Sequence, residues 1–326
     1  MSEHSAIQWT DATWNPTTGC TKVSPGCANC YIETTTPFRV QGRKFVGGAI
    51  PLKLHEGRLE QPLRWRKPKR IFVNSLSDLF HEDIPFEFID RVFAVMALTP
   101  QHTYQVLTKR PGRMLEYLTA PIGFSARREG RIRTLANELR TDPKFTGGRL
   151  KHFETWPLPN VWLGVSVENQ HFADERIPLL LQTPAAVRFI SAEPLLEEIS
   201  FRWAKWDDHA PNPRRLTKLP PVERDGKCLA GSINHLDGAR MLDWVIVGGE
   251  SGSDARPFDI ARARKIVAEC RAAGVPVFVK QLGVAPYDSA PTMPVNVPVR
   301  DRKGGDPEEW PADLRVREFP TVHAWA

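Results

Sequence analysis

Cys20, Cys27 and Cys30, three of the chain's five cysteines, fall within eleven consecutive positions of the stretch TTGCTKVSPGCANCYIE (17–33). Thiolates this close in sequence are soft ligands suited to zinc or to an iron–sulfur cluster. In a reducing compartment they read as a metal or redox site rather than a disulfide framework. A structural zinc site is closed by four ligands, usually from two paired knuckles, and this stretch offers a single Cys-x-x-Cys; His4 or a distant histidine would have to complete it. A 4Fe-4S cluster bound by three cysteines leaves one iron able to take a substrate or cofactor. Gly19, Pro25 and Gly26 let the backbone wrap a bulky group, Ser24 and Ala28 keep side chains out of its way, and Tyr31 can wall it.

The elements that must position such a site form a repeating βα pattern. Short apolar runs rich in β-branched residues occur at 70–78, 103–110, 161–169, 187–194, 244–252 and 275–283, and a first strand is expected within QWTDATWNPTTG, before Cys20. Helical patterns lie between them at 85–98, 111–119, 171–182 and 259–273, the first started by Asp83 and Pro85 and the last stopped by Gly274. Near-continuous apolar strands alternating with helices predict a parallel sheet covered on both faces. Cys270 falls on the apolar stripe of the last helix and reads as a small core residue. Residues 120–158 and 201–242 exceed what a βα connection needs and are read as insertions. Residues 284–326, rich in proline and charge, are read as an irregular C-terminal extension.

Each strand also ends in side chains that can do chemistry. The first two sets are Asn74, Ser75, Ser77 and Asp78, then Thr108, Lys109 and Arg110. Ser166, Glu168 and Asn169 follow, then Ser191 and Glu193. The last two are Gly248, Gly249, Glu250 and Ser251, then Lys280 and Gln281. In a parallel α/β barrel all these ends share the C-terminal mouth, where active sites are built, and the three cysteines would open onto it. For any one strand the plainer reading is that polar residues begin loops; repetition over six strands favours a shared site. GGESG at 248–252 fits neither G-x-G-x-x-G nor a P-loop, so Gly248 and Gly249 are divided between cofactor contact and a tight strand-end turn. Glu250 is better placed to bind substrate or an ammonium group.

The ordered motifs IQWTDATWNPTTGCTKVSPGCANCYIE, NSLSDLFHE, LTKRP, GVSVENQ, SAEPLL and VGGESG, spread over about residues 5–283, resemble the phage-associated three-cysteine-motif family, which is grouped with radical S-adenosylmethionine enzymes. The resemblance implies an α/β fold, a partial or complete (βα) barrel of the radical-SAM type spanning 1–283. It implies Cys20, Cys27 and Cys30 as ligands of a 4Fe-4S cluster after strand one, S-adenosylmethionine as second cofactor, and reductive cleavage followed by hydrogen abstraction. Asn74, Ser75 and Ser77 would meet the amino group of S-adenosylmethionine; Ser166, Glu168 and Glu193 would meet its ribose and carboxylate. The superfamily's common spacing, Cys-x3-Cys-x2-Cys with an aromatic before the last cysteine, is not kept: the first gap here is six residues and Asn29 holds the aromatic position.

Cations exceed acids by 44 − 38 = 6, which suits an anionic partner such as nucleic acid. RLEQPLRWRKPKR carries Arg58, Arg64, Trp65, Arg66, Lys67, Lys69 and Arg70, and the first insertion adds Arg127, Arg128, Arg131, Arg133 and Arg140. Cations neutralise phosphates and aromatics stack on bases, but Trp65 can equally anchor a loop and the second tract can equally be a solvated helix face. Lys109, Arg110 and Glu250 are the candidate catalytic residues. Trp203, Trp206 and His209 offer a lid or packing, and an electron donor of flavodoxin or ferredoxin type is the further partner expected. The N-terminus lacks a signal-peptide pattern and no stretch approaches the roughly 20 apolar residues of a membrane span, so a cytoplasmic protein with no membrane partner is expected. A zinc-binding nucleic-acid-interaction protein and a degenerate barrel acting as a scaffold are the alternatives.

Overall fold

Seven apolar runs pair in the order in which they occur along the chain: β1 (Ala12–Trp14), β2 (Arg70–Val73), β3 (Thr103–Thr108), β4 (Val161–Ser166), β5 (Val187–Ala192), β6 (Trp244–Gly248) and β7 (Val277–Gln281). Every neighbouring pair is parallel. The order never reverses, as it would in a doubly wound sheet, and the sheet curls into a half-barrel. The computed structural model describes residues 5–120, 128–142, 144, 155–201, 236 and 242–321, with backbone strands at 204–205, 222–224, 227–229 and 232–233.

Helices α1 (Phe86–Leu98), α2 (Pro111–Thr119), α3 (Arg128–Thr141), α4 (Gln170–Gln182) and α5 (Ile260–Ala273) connect or flank the strands. Their ends follow local chemistry. The Asn169 side chain accepts from Phe172 N at 3.1 Å to start α4, and Gly274, at φ 67°, closes α5. Cys270 is fully buried, as its place on the α5 stripe predicts.

Side chains alternate across the strands. One face, with Ile71, Val73, Val106, Val165, Ile190, Val245 and Val279, packs under helix residues such as Val92, Ile177 and Ile266. The other, concave face carries Phe72, Trp162, Phe189, Trp244, Ile246 and Phe278, joined by Trp9 from before β1. Trp244 meets Phe189 at 5.7 Å and Trp162 at 5.9 Å between ring centroids, so aromatic rings fill the hollow that a closed barrel would fill with branched side chains. Gly164 makes room for this layer: a Cβ there would lie 2.6 Å from the Phe189 ring. Gly164→Ala is therefore expected to cost about 1–3 kcal/mol through overpacking; urea melts would read this, and an unchanged midpoint would count against the packing described.

The C-terminal segment protects the exposed edge of the sheet. Val279 N donates to Val316 O at 2.8 Å and Glu318 N donates to Val277 O at 3.0 Å, so β7 does not end in open hydrogen bonds. Phe319 packs on Trp244 and Phe278, each at 5.3 Å, and Trp310, Leu314 and Val316 are buried.

Between β1 and β2 an antiparallel hairpin joins Thr17–Thr21 to Ala49–Leu54 and places Cys20 opposite Ile50. Gly19 is required there: its φ is 101° and a Cβ would come 2.2 Å from Pro51 O. Among the described residues no helix is long and apolar enough to cross a membrane.

Candidate functional site

Beyond the aromatic layer, the same alternation brings Asn74, Lys109, Ser166, Glu168, Ser191, Glu193, Gly248 and Lys280 to the concave side at the carboxyl ends of β2 to β7. The polar mouth expected from the strand ends thus lies over an aromatic floor. The cysteine loop reaches it from the β1 side.

Hydrogen bonds lock that loop to the segment after β2. Thr17 and Ser77 hydroxyls meet at 2.6 Å, Gly19 N donates to Leu76 O at 3.0 Å, and Tyr31 OH donates to Ser75 O at 2.6 Å. Asn15 and Ser75 side chains are joined at 3.1–3.2 Å, so Ser75 and Ser77 fasten the hairpin while Tyr31 stays exposed. Cys27 is buried at the end of the 3-10 turn Pro25–Cys27, with Ser24 Oγ 3.7 Å from its sulfur; Cys20 and Cys30 are half-buried, and none of the three is in a disulfide. Burial, reinforced by Asp78, pushes the Cys20 thiol up to about 12 despite Arg110, and burial also raises Cys30; the charge of Cys27 adds to both. Raised in this way, the Cys20 and Cys30 thiols hold their protons at neutral pH, so Cys20 is not a free thiolate nucleophile. Among the described residues no three His, Cys, Asp or Glu side chains converge on a single metal ion.

Two buried carboxylates brace the loop. Glu168, with no exposed surface, pairs with Lys109, accepts from Arg176 NH1 at 3.2 Å and accepts from Ser24 Oγ at 2.5 Å. Burial alone would raise its pKa, but Lys109 and Arg176 outweigh burial and the net shift is downward. Gly26 lies so close that a Cβ would fall 2.3 Å from the Glu168 side chain. Asp78 accepts from Thr108 Oγ1 at 2.7 Å, Lys109 N at 2.9 Å and Arg110 NH1 at 3.2 Å. Arg110 also reaches Glu82 at 2.9 Å, Thr21 O at 3.1 Å and Cys20 Sγ at 3.9 Å. Its whole guanidinium is taken up in holding the hairpin.

Glu193 accepts from Ser191 Oγ at 3.1 Å, and Lys280 Nζ lies 3.0 Å from its other oxygen, an ion pair too bent to be a hydrogen bond. A Cβ on Gly249 would come 2.5 Å from Leu282 O, so the backbone requires that glycine, whereas one on Gly248 would come 2.6 Å from the movable end of the Glu193 side chain. Glu250 is held by Arg256, whose Nε donates at 3.0 Å, and by Asn29 Nδ2 at 3.1 Å; burial raises its pKa, yet these bonds bring the net shift below the ordinary value.

Asn74 is the exception among these tied-down groups. It is 2% exposed, its φ is 60°, and neither Oδ1 nor Nδ2 has a hydrogen-bond partner. An unsatisfied buried polar group costs about 1–3 kcal/mol, which makes this amide, held at a strand end, a candidate ligand contact.

The basic tracts are less available than their composition suggests. Trp65 is buried, edge-on to His102 at 6.1 Å, and serves the core. Arg131 Nε pairs with Asp90 at 2.8 Å and Arg128 NH1 lies 3.4 Å from the same carboxylate, so these two fasten α3 to α1, while Arg133 pairs with Glu129 at 2.9 Å within α3 itself. Arg127, Trp203, Trp206, His209 and the side chain of Cys228 lie outside the described residues. Arg176, Arg256, Asn15 and Asn29 were not singled out from the sequence. Arg176 stands eight residues after Glu168 on the next helix, a spacing that could have suggested a return contact.

A family model described as "Protein of unknown function (DUF5131)" matches residues 4–305, so the chain belongs to that family. No curated protein and no solved structure matched the chain.

Proposed function

We propose that this DUF5131 protein is a radical S-adenosylmethionine enzyme in which Cys20, Cys27 and Cys30 hold a 4Fe-4S cluster, acting on nucleic acid to modify or repair it. What supports the reading is one unpartnered amide, Asn74, at the mouth that the loop of three free cysteines approaches, Cys27 buried and Cys20 and Cys30 half-buried. Ligation requires the three sulfurs to draw together, because among the described residues no three such side chains converge. Bound there, the cluster and S-adenosylmethionine would supply reductive sulfonium cleavage and hydrogen abstraction, chemistry no side chain supplies.

The chain's own part is to bind, orient and exclude water. Asn74, with Oδ1 and Nδ2 both unspent, is the residue to bind the amino-acid end of S-adenosylmethionine. Tyr31 walls the loop, Ser166 and Glu193 line the same concave side for its ribose and carboxylate, and Glu168, fully buried, acts by holding Ser24 and Lys109. Arg110 is a positioning residue through Asp78, Glu82 and Thr21, and Glu250 positions the cysteine loop through Asn29. Lys109 is a cation at the mouth that can turn toward a substrate phosphate, at the cost of its pairing with Glu168. The electron donor would be a flavodoxin or ferredoxin. A zinc module is the alternative reading; it needs a fourth ligand beside the three cysteines, and metal content separates the two.

The direct test is anaerobic reconstitution with iron and sulfide, then dithionite and S-adenosylmethionine. A brown protein that forms 5′-deoxyadenosine is expected; a colourless protein with one zinc per chain would refute the reading. Asn74 separates site from scaffold. Asn74→Gly removes an orphaned amide and relaxes the positive φ, so the melting temperature should hold or rise while affinity for S-adenosylmethionine falls about tenfold or more. Isothermal titration and thermal melts check this, and undiminished affinity would remove Asn74 from the site.

A further inference from the structure

We propose that a cavity walled by the cysteine hairpin and by Arg58, Ser75 and Leu76 binds the phosphate group of a nucleotide or of a single nucleic-acid strand. The inference stands on this cavity alone and does not depend on iron chemistry.

The cavity measures about 380 Å³. That is within the roughly 300–1,000 Å³ of small-molecule sites, and large enough for a nucleotide rather than a lone ion. Arg43, Lys53, His55 and Arg58 line it, and no acid does. Among the described residues no carboxylate pairs with Arg43, Lys53 or Arg58. Burial and the fields of Arg58, Lys53 and Arg43 hold His55 down at about 4, so the imidazole is neutral and can share a hydrogen bond with Thr18 Oγ1 at 2.9 Å. Three cations brought together without a counter-ion repel one another, and an anion relieves that repulsion.

The two arginines are pre-aimed. Arg43 NH1 donates to Thr18 Oγ1 at 3.1 Å and NH2 donates to Pro51 O at 2.5 Å, with the guanidinium 4.6 Å from the Phe38 ring centroid. Arg58 NH1 donates to Asn15 O at 3.3 Å, and its own carbonyl accepts from Trp14 Nε1 at 2.7 Å. These bonds engage two of the donors of Arg43 and one of Arg58, and a guanidinium carries five. The unspent donors suit the oxygens of a phosphate, which arginine binds in bidentate fashion. Lys53 stands exposed at the rim, where it can draw an anion inward.

Asn15 and Ser75 also line the cavity, and they are the pair that ties β1 to the segment after β2. The same Ser75 carbonyl receives Tyr31 OH. A phosphate held here would therefore lie beside the segment to which Tyr31 of the cysteine loop is bonded. A strand anchored by it could cross the hairpin toward the mouth.

The test uses the full chain and a short 5′-phosphorylated, fluorescein-labelled oligodeoxythymidine, read by anisotropy. Adenosine 5′-monophosphate should displace the probe, whereas adenosine and an acidic peptide should not. Arg58→Gln and Lys53→Glu should each weaken binding about tenfold or more, the size of one lost charge-assisted contact. A strand as the natural ligand predicts that the oligonucleotide binds tighter than the monophosphate; a free nucleotide predicts the reverse. Equal displacement by adenosine or by the acidic peptide, or parental affinity in K53E, would overturn the proposal. Lys53 is exposed, so K53E keeps the test decisive even should R58Q lose the fold.

Discussion

Cys27→Ala is expected to abolish iron loading and, with it, 5′-deoxyadenosine formation, while leaving a folded protein. Of the three candidate ligands Cys27 is the buried one, at the end of a short turn and facing Ser24. Alanine fits the same backbone and leaves a gap of one sulfur, so the fold should lose no more than a few kcal/mol, as in other large-to-small core changes. Removing one of only three ligands should cost more than the 10- to 100-fold typical of outer-shell changes, taking activity below about one hundredth. Cys270→Ala is the matched control: it too is buried, but on the inner face of α5, away from the loop, and should load normally. Iron content, absorbance of the reconstituted protein and product assay decide the matter. Iron loading or product formed at the parental level by C27A would place the cluster elsewhere.

Glu168→Ala is expected to be the most destabilising substitution at the mouth. It would leave Arg176, 2% exposed, and Lys109, 18% exposed, without their shared counter-charge. Breaking a buried pair from one side costs about 3–5 kcal/mol, against the roughly 1–3 kcal/mol expected for Gly164→Ala. The carboxylate also holds Ser24, so the cysteine loop should loosen and iron loading should fall in parallel. A pH signature accompanies the effect. Because folding lowers the Glu168 pKa below the ordinary 4.5, its ionisation contributes stability that is fully present above that value and is lost as pH falls below it. Glu168→Gln should remove that part of the acid dependence while keeping the side-chain volume. Denaturant melts between neutral and acid pH read both effects; an E168Q curve parallel to the parent would show that Glu168 is not the group responsible.

Much of the scaffold was legible because parallel strands covered on both faces must be apolar along their length and polar where they end. That is why the seven runs, including a first strand as short as Ala12–Trp14, could be placed before the structure was known. Helix α5 was equally clear, since an apolar stripe carrying Cys270 runs into Gly274, whose φ of 67° few other residues adopt. The hairpin between Thr17–Thr21 and Ala49–Leu54 was not seen: its two strands are separated by a long excursion and neither shows a clean alternation. Nor was the C-terminal segment, whose anchors Trp310, Val316 and Phe319 are spaced irregularly because they fill gaps along a strand edge rather than one face of an element.

The candidate site divides in the same way. Residue types at strand ends identified Asn74, Lys109, Glu168 and Glu193 as neighbours, because topology alone brings them to one mouth. Which of them are spent on protein contacts could not be read, since Arg176, Arg256 and Asn29 reach their partners through tertiary contacts without a sequence period. The same holds for Arg43, Lys53 and Arg58, whose shared cavity is made by the hairpin. Trp65, in the most base-stacking-like tract of the sequence, proved to be core, because a tryptophan between cations can equally bury its ring and leave the cations at the surface.

The central claim is that Cys20, Cys27 and Cys30 hold a cluster with one iron open to S-adenosylmethionine beside Asn74. Electron paramagnetic resonance of the anaerobically reconstituted, dithionite-reduced protein, recorded with and without S-adenosylmethionine, tests it most directly. The account predicts a reduced-cluster signal whose g values shift when S-adenosylmethionine is added, and a shift that N74G weakens. A protein that gives no cluster signal, or one whose spectrum is indifferent to S-adenosylmethionine, would contradict it.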